Sequence, residues 1–338
     1  MTAVATLDAF ESYLERTVER LEKSSPAKEL VREHFAFGDT SAKRGKRLRP
    51  RILLTAAEIE GARAEDAFPA AAAVELLHNF SLVHDDIEDR DELRHGRPAL
   101  WVQHGVPAAL TAGDAMCALA FSVLLDGSGT AAVRSRADAE RAVAMSAVLH
   151  RALYALCRGQ GADIGFEASA EVSFDEYLAM IEAKTAALFS ASCELGALAA
   201  GAGAARAAAY GLMGRAYGLA FQVRDDILGT WGTPADTGKP AGADIRRRKW
   251  SFPVAWAMSG PPSPDRDAVA RAYATIGELD APAASAVIAA LERLGAHRAA
   301  DAACDAYVAQ AAAVATEHDL DRNGSLAEIF TSTARRTA

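Results

Sequence analysis

The chain has 338 residues, 51% of them hydrophobic and 24% charged, which is enough apolar material for a large core. Its 45 Asp+Glu against 36 Lys+Arg leave a net charge of −9, which argues against nucleic acid as the main partner, since phosphate backbones reward a basic face. Alanine dominates while Val, Ile, Tyr and Trp are sparse, a balance that favours helix over sheet.

Leu7, Phe10, Leu14, Val18 and Leu21 recur at helical spacing and predict an amphipathic first helix over residues 6–23. Asp8, Glu11, Glu15 and Glu19 in the same stretch are wrong for a secretory signal peptide. Pro26 can open a second helix and Gly38 can end it. Ser41 to Pro50 reads as a basic loop, with helix resuming from Ile52 to Ile59. Pro69 stands where a helix can begin, and the run from there to Val83 is almost wholly apolar. Residues 106–126, 133–168, 174–200 and 205–228 also read as helices. Gly229 to Gly242 holds four glycines and two prolines and reads as a loop, after which four shorter helices are expected to about residue 336.

No segment alternates with a period of two, and no stretch is rich enough in Pro, Gly or Ser to act as a linker. The expected architecture is all-α, a single domain over residues 1–338, with long helices bundled around a central apolar cavity. Cys117, Cys157, Cys193 and Cys304 lie in apolar segments without a CxxC pair and are expected to be buried thiols. No apolar run reaches the ~18 uncharged residues of a spanning helix, so the expected location is cytoplasmic.

A carboxylate pair occurs twice. His84-Asp85-Asp86-Ile87-Glu88-Asp89 ends one apolar segment, and Gln222-Val223-Arg224-Asp225-Asp226-Ile227-Leu228-Gly229 ends another. Residues four apart share a helix face, so Asp85 and Asp89 point the same way. Carboxylates at a helix C-terminus oppose the dipole unless a cation compensates. Two such ends facing each other would form an oxygen-rich cage suited to Mg²⁺, completed by a phosphate-bearing substrate. An EF-hand is excluded, because Arg90 stands where that loop needs glycine. Basic residues bracket both motifs: Lys46, Arg47 and Arg49, then Arg94 and Arg97, then Lys184, Lys239 and Lys249. Such mixed charge suits a diphosphate, which needs both Mg²⁺ and Lys/Arg donors. The Gly232 to Lys239 stretch is not a Walker loop, since five residues separate its glycines and Pro240 replaces Ser/Thr.

These motifs, in this order, resemble the trans-isoprenyl diphosphate synthases, the polyprenyl synthetase family. The resemblance runs over residues 40–255 and rests on Gly45-Lys-Arg-Leu-Arg-Pro50, Asp85 to Asp89, Arg94-His-Gly-Arg-Pro98, Gly159-Gln-Gly-Ala-Asp163, Lys184-Thr185, Phe221-Gln222 with Asp225-Asp226, and Gly238-Lys239 through Lys249. It implies an all-α homodimer. It further implies that Lys46, Arg49 and His78 hold the diphosphate of isopentenyl diphosphate. Asp85, Asp89 and Asp225 then bind Mg²⁺, three ions per site, with Asp86 and Asp226 as further carboxylates of the catalytic motifs. Arg94, Lys184, Thr185, Gln222, Lys239 and Lys249 would hold the allylic diphosphate.

The implied reaction ionises the allylic C–O bond and joins the resulting carbocation to the double bond of isopentenyl diphosphate, in a pocket kept dry. Two positions depart from the family pattern. His95 stands where a second arginine usually helps to bind isopentenyl diphosphate, and Gly229 where many members carry a third aspartate. A terpene cyclase or head-to-head condensing enzyme would not need Lys46, Arg49 and His78, and a non-catalytic partner subunit would not keep the acidic motifs.

The growing tail should run from the carboxylates toward the N-terminus of their helix. Ser81 lies four residues before Asp85, and Phe80 five before, about 7.5 Å along the axis. In the family these positions set product length. An aromatic at Phe80 beside a small Ser81 implies geranylgeranyl diphosphate as product, with farnesyl diphosphate the runner-up.

Overall fold

The computed structural model describes residues 3–21, 25–39, 45–126, 136–167, 169–233, 241–275 and 277–334. α1 (Ala3–Val18) lays Phe10, Leu14 and Val18 into the core. α2 (Pro26–Phe35) opens on a proline whose missing N–H is harmless in a first turn, and it ends at Ala36 in the left-handed region. α3 (Leu48–Ile59) starts earlier than expected. Pro50 sits in its first turn, so the end of the basic stretch is helix rather than loop. A 3₁₀ turn (Ala64–Ala67) leads into α4 (Phe68–Glu88), whose apolar run from Ala70 to Leu77 is fully buried.

There follow α5 (Leu100–His104), α6 (Val106–Asp126), α7 (Arg136–Glu167), α8 (Phe174–Ile181), α9 (Ala187–Ala199) and α10 (Ala204–Trp231). Then come α11 (Ala243–Arg246), α12 (Phe252–Ser259), α13 (Pro264–Tyr273), α14 (Ala281–Leu294), α15 (Ala296–Glu317) and α16 (Ser325–Ala334). The only strands among the described residues are Leu93–Arg94 and Arg97–Pro98, a two-stranded hairpin with Leu93 opposite Pro98. The all-α expectation therefore holds.

Several local expectations do not. Residues 174–200 are not one α-helix, because a π-turn (Glu182–Ala186) separates α8 from α9. α10 runs past Gly229 to Trp231, so its acidic pair lies within the helix and the following loop starts later. The C-terminal part holds more helices than the four expected, and α15 spans 22 residues. Cys193 and Cys304 are buried, but Cys157 is exposed on the outer face of α7 with Arg151 and Tyr154.

The chain divides into two compact units. The first takes in Met1–Leu153, Ala191–Gly211 and Asp321–Asn323. Its centre is the pairing of α4 with α6, flanked by α1, α2, α3 and α5. α6 is long and apolar enough to cross a membrane by length and composition, but 44% of that stretch is buried and it packs on α4. Gly113 permits the close approach, since a Cβ there would lie 2.3 Å from Nε2 of His84. The second unit takes in Tyr154–Ser190, Leu212–Leu320 and Gly324–Ala338. Its core joins Tyr177, Ile181, Val223, Ile227, Trp250 and Phe252 to the apolar faces of α13, α14 and α15.

Candidate active site

In the first unit the site residues cluster around the C-terminal end of α4. Asp89 caps the helix, its N–H donating to the Asp85 carbonyl at 2.8 Å. The chain then turns through Arg90 (φ 54) and enters the hairpin, whose two turn residues, His95 (φ 54) and Gly96 (φ 79), both have positive φ. That is the backbone a two-residue hairpin turn requires. The hairpin returns Arg94 to α4, where Nε donates to Asp86 Oδ1 at 2.9 Å and the terminal nitrogen contacts the same oxygen. Asp86 is buried, while Asp85 and Asp89 remain half-buried at the helix end. The three acids thus divide: one is drawn inward to an arginine, and two stay four residues apart on the open face.

The basic segment divides in the same way. Arg47, in the left-handed region (φ 48), is buried and bound by Glu11 on α1 at 2.6 Å and Glu75 on α4 at 2.8 Å. Its charge is spent on the fold. Lys46 is exposed, and Arg49 donates to Nε2 of His78 at 3.0 Å. Burial, then the charge of Arg49, lowers the His78 pKa well below its usual value. His78 is therefore a neutral acceptor for Arg49.

His95 is placed beside this segment, since a Cβ built on Gly45 would lie 3.7 Å from its Nε2. Burial and the nearby charges of Arg94, Arg47 and Arg97 lower the His95 pKa, so this pocket of cations keeps it neutral. Ser81 is buried with its hydroxyl on the His78 carbonyl at 2.8 Å. Phe80 is half-buried and stands edge-on to His84, ring centroids 4.7 Å apart.

In the second unit the site residues come from α7, the π-turn, α10 and the segment after α11. Asp226 is buried and accepts from the Tyr177 hydroxyl, from the Phe252 N–H at 2.7 Å and from Gln222 Nε2 at 2.9 Å. Burial pushes its pKa up to about 7 against those three donors. Gln222 in turn accepts from the Thr185 hydroxyl at 2.6 Å. Asp225, next to this network, is exposed.

Lys184 Nζ donates to Asp163 Oδ2 at 2.5 Å, and Lys249 Nζ lies 3.8 Å from the same oxygen. Burial would raise the Asp163 pKa, but Lys249 and Lys184 together hold it below the usual carboxylate range. Close packing fixes the π-turn: a Cβ on Gly159 of α7 would lie 2.3 Å from the Lys184 backbone nitrogen, and one on Gly218 of α10 2.6 Å from Ala186 Cα. Lys239 lies outside the described residues. Asp163 and Tyr177 are side chains to which the sequence reading gave no role. The only advance sign of Asp163 was its place in the Gly159 to Asp163 motif.

Among the described residues no three His, Cys, Asp or Glu side chains gather closely enough to hold a metal unaided. An oxygen-only pair such as Asp85 and Asp89, short of a full cage, fits Mg²⁺ whose remaining ligands are substrate phosphates and water.

An all-α fold with an acidic motif in each unit, each beside its own cations, defines the class, and the sequence profile described as polyprenyl synthetase matches residues 35–288: the chain belongs to that family. A (2E,6E)-farnesyl diphosphate synthase of Mycobacterium bovis is 48% identical over 215 residues, 64% of this chain and 57% of that protein. A geranylgeranyl diphosphate synthase of Mycobacterium tuberculosis is 43% identical over 215 residues, 64% of this chain and 59% of that protein. The match thus spans under two thirds of the length of either relative. The crystal structure of polyprenyl synthetase from Streptomyces coelicolor A3(2) covers 98% of both chains at a TM-score of 0.84 and 31% identity.

Proposed function

We propose that this chain is a trans-prenyltransferase that condenses isopentenyl diphosphate with dimethylallyl, geranyl or farnesyl diphosphate, with geranylgeranyl diphosphate as its main product. The observation that carries this reading is the split of the first motif, with Asp86 tied inward to Arg94 while Asp85 and Asp89 stay on the open face. Asp85, Asp89 and Asp225 would hold Mg²⁺, three ions in all, which supplies positive charge to the leaving diphosphate. Lys46, Arg49 and His78, with His95 beside them, bind isopentenyl diphosphate. Arg94, Lys184, Thr185, Gln222, Lys239 and Lys249 bind the allylic diphosphate.

Asp86 and Asp226 act by position, orienting Arg94 and Gln222. Asp163 gathers Lys184 and Lys249 at one oxygen, so two ammonium groups are pre-placed for phosphate oxygens. The allylic C–O electron pair leaves with the diphosphate, the isopentenyl double bond attacks the allylic carbon, and a proton departs to the diphosphate. Apolar walls exclude water, which would quench the cation. A cytoplasmic homodimer completes the reading.

Farnesyl diphosphate as product is the second reading, favoured by the higher identity to the farnesyl diphosphate synthase. The test is to incubate the purified chain with Mg²⁺, isopentenyl diphosphate and each allylic diphosphate, then dephosphorylate and size the products. A twenty-carbon alcohol is expected, activity should vanish with excess chelator, and Asp85→Ala should lower kcat/KM by roughly 10²-fold or more. Full turnover in chelator would overturn the metal role. A fifteen-carbon product from all primers would select the second reading.

A further inference from the structure

Gly229 follows Asp225 by four residues on α10, the same spacing that separates Asp85 from Asp89 on α4. The second motif therefore lacks the counterpart of Asp89. The backbone does not ask for glycine here. Gly229 lies inside a helix and is absent from the residues with positive φ, and a mid-helix glycine is destabilising relative to alanine. What the position requires is room. A Cβ built on Gly229 would lie 1.8 Å from Oδ2 of Asp244 and 2.6 Å from its Cγ. The Asp244 carboxylate thus occupies the place where a side chain at 229 would begin, one turn beyond Asp225 on nearly the same face.

Asp244 is held there by a well-anchored turn. It sits in α11, whose Ile245 is buried and whose N-cap, Gly242 (φ 66), is pressed so close to α14 that a Cβ there would lie 2.8 Å from Ile288 Cδ1. The Leu279 N–H donates to the Arg246 carbonyl at 2.8 Å, and the Lys249 N–H to the Asp244 carbonyl at 2.9 Å. An acid in the first turn of a short helix is ordinary on dipole grounds. That reading explains neither the glycine opposite nor the placement beside Asp225.

We infer that Asp244 supplies, from a separate element, the carboxylate that the second acidic motif lacks at residue 229, so that Asp225 and Asp244 together face a divalent cation carrying diphosphate. The inference rests on the reading of Asp225 as a metal ligand proposed above. An oxygen-only pair of this kind suits Mg²⁺ or Mn²⁺.

The test measures Mn²⁺ affinity by the electron paramagnetic resonance of the free ion, with saturating inorganic diphosphate and no turnover. Asp225→Asn and Asp244→Asn should each weaken Mn²⁺ binding about tenfold or more. Gly229→Ala keeps every charge and only displaces the Asp244 carboxylate, and it should also weaken binding. The exchange Gly229→Asp with Asp244→Gly should restore most of the affinity. If Asp244→Asn and Gly229→Ala bind like wild type while Asp225→Asn does not, the inference about Asp244 falls and the role of Asp225 stands. If Asp225→Asn also binds like wild type, the metal reading of the second motif falls with it. Thermal melting of each variant checks folding; should Asp244→Asn fail to fold, wild-type affinity in Gly229→Ala overturns the inference.

Discussion

Replacing Gly159 by alanine adds a single methyl group where α7 crosses the π-turn that carries Lys184. The new carbon would lie 2.3 Å from the Lys184 nitrogen, 2.7 Å from its Cα and 2.8 Å from its Cβ. Ordinary contacts need about 3.5–4.0 Å. The obstacle is mostly backbone and cannot rotate aside, so the two segments must part by about 1 Å. Over-packing of this kind costs about 1–3 kcal/mol. At ~2.1 cal/mol/K of unfolding entropy per residue, the whole chain carries ~0.7 kcal/mol/K, so the midpoint should fall by about 1.5–4 °C.

The same helix provides the control. Nothing lies within 4 Å of a Cβ built on Gly161 or Gly165. Alanine at either should stabilise by up to about 1 kcal/mol through helix propensity and raise the midpoint. Scanning calorimetry on the three single variants reads both signs, and Gly159→Ala should also raise KM for the allylic diphosphate by disturbing Lys184. A Gly159→Ala protein that melts at or above wild type would refute the steric argument.

Lys46→Ala and Arg49→Ala should raise KM for isopentenyl diphosphate more than for the allylic substrate, and His95→Arg should lower it; steady-state kinetics showing equal effects on both substrates would mean the two diphosphate sites are wrongly divided. Phe80→Ala should lengthen the products and Ser81→Phe shorten them, as read by chromatography; an unchanged product from both would remove this face of α4 from the tail pocket. Burial draws the His34 pKa down to about 4, with Asn79 opposing. The unfolded chain therefore takes up this proton first as pH falls, and stability present above about pH 6.5 is lost by a few kcal/mol between there and pH 4. His34→Gln should flatten that part of a urea-midpoint profile; an unchanged slope would show that His34 does not govern it.

The acidic end of α4 was legible because everything that makes it is local: Pro69 opens the helix, an apolar run buries it, and four-residue spacing aligns Asp85 with Asp89. The division of labour among Lys46, Arg47 and Arg49 was not. Three cations in four residues look alike until Glu11 and Glu75, 36 and 28 residues from Arg47, arrive to bury one of them. Helix at Gly229 was hidden because glycine counts as a breaker by propensity, whereas here it marks a close approach by Asp244. The π-turn leaves no mark in Glu182–Ala186 itself, since the glycines that accommodate it, Gly159 and Gly218, lie on other helices.

That π-turn also governs which changes the segment can accept over time. A π-turn holds one residue more than an α-helical ladder needs. Excising a residue from Glu182–Ala186 would straighten the helix, but it would also rotate everything that follows by about 100° and draw it back about 1.5 Å. Leu188 and Phe189, both buried, would swing out of the core. Point substitutions here can drift, whereas the number of residues between Ser173, which caps α8, and Phe189 is fixed. Related sequences that align without gaps through this stretch would be keeping a length rather than a set of letters.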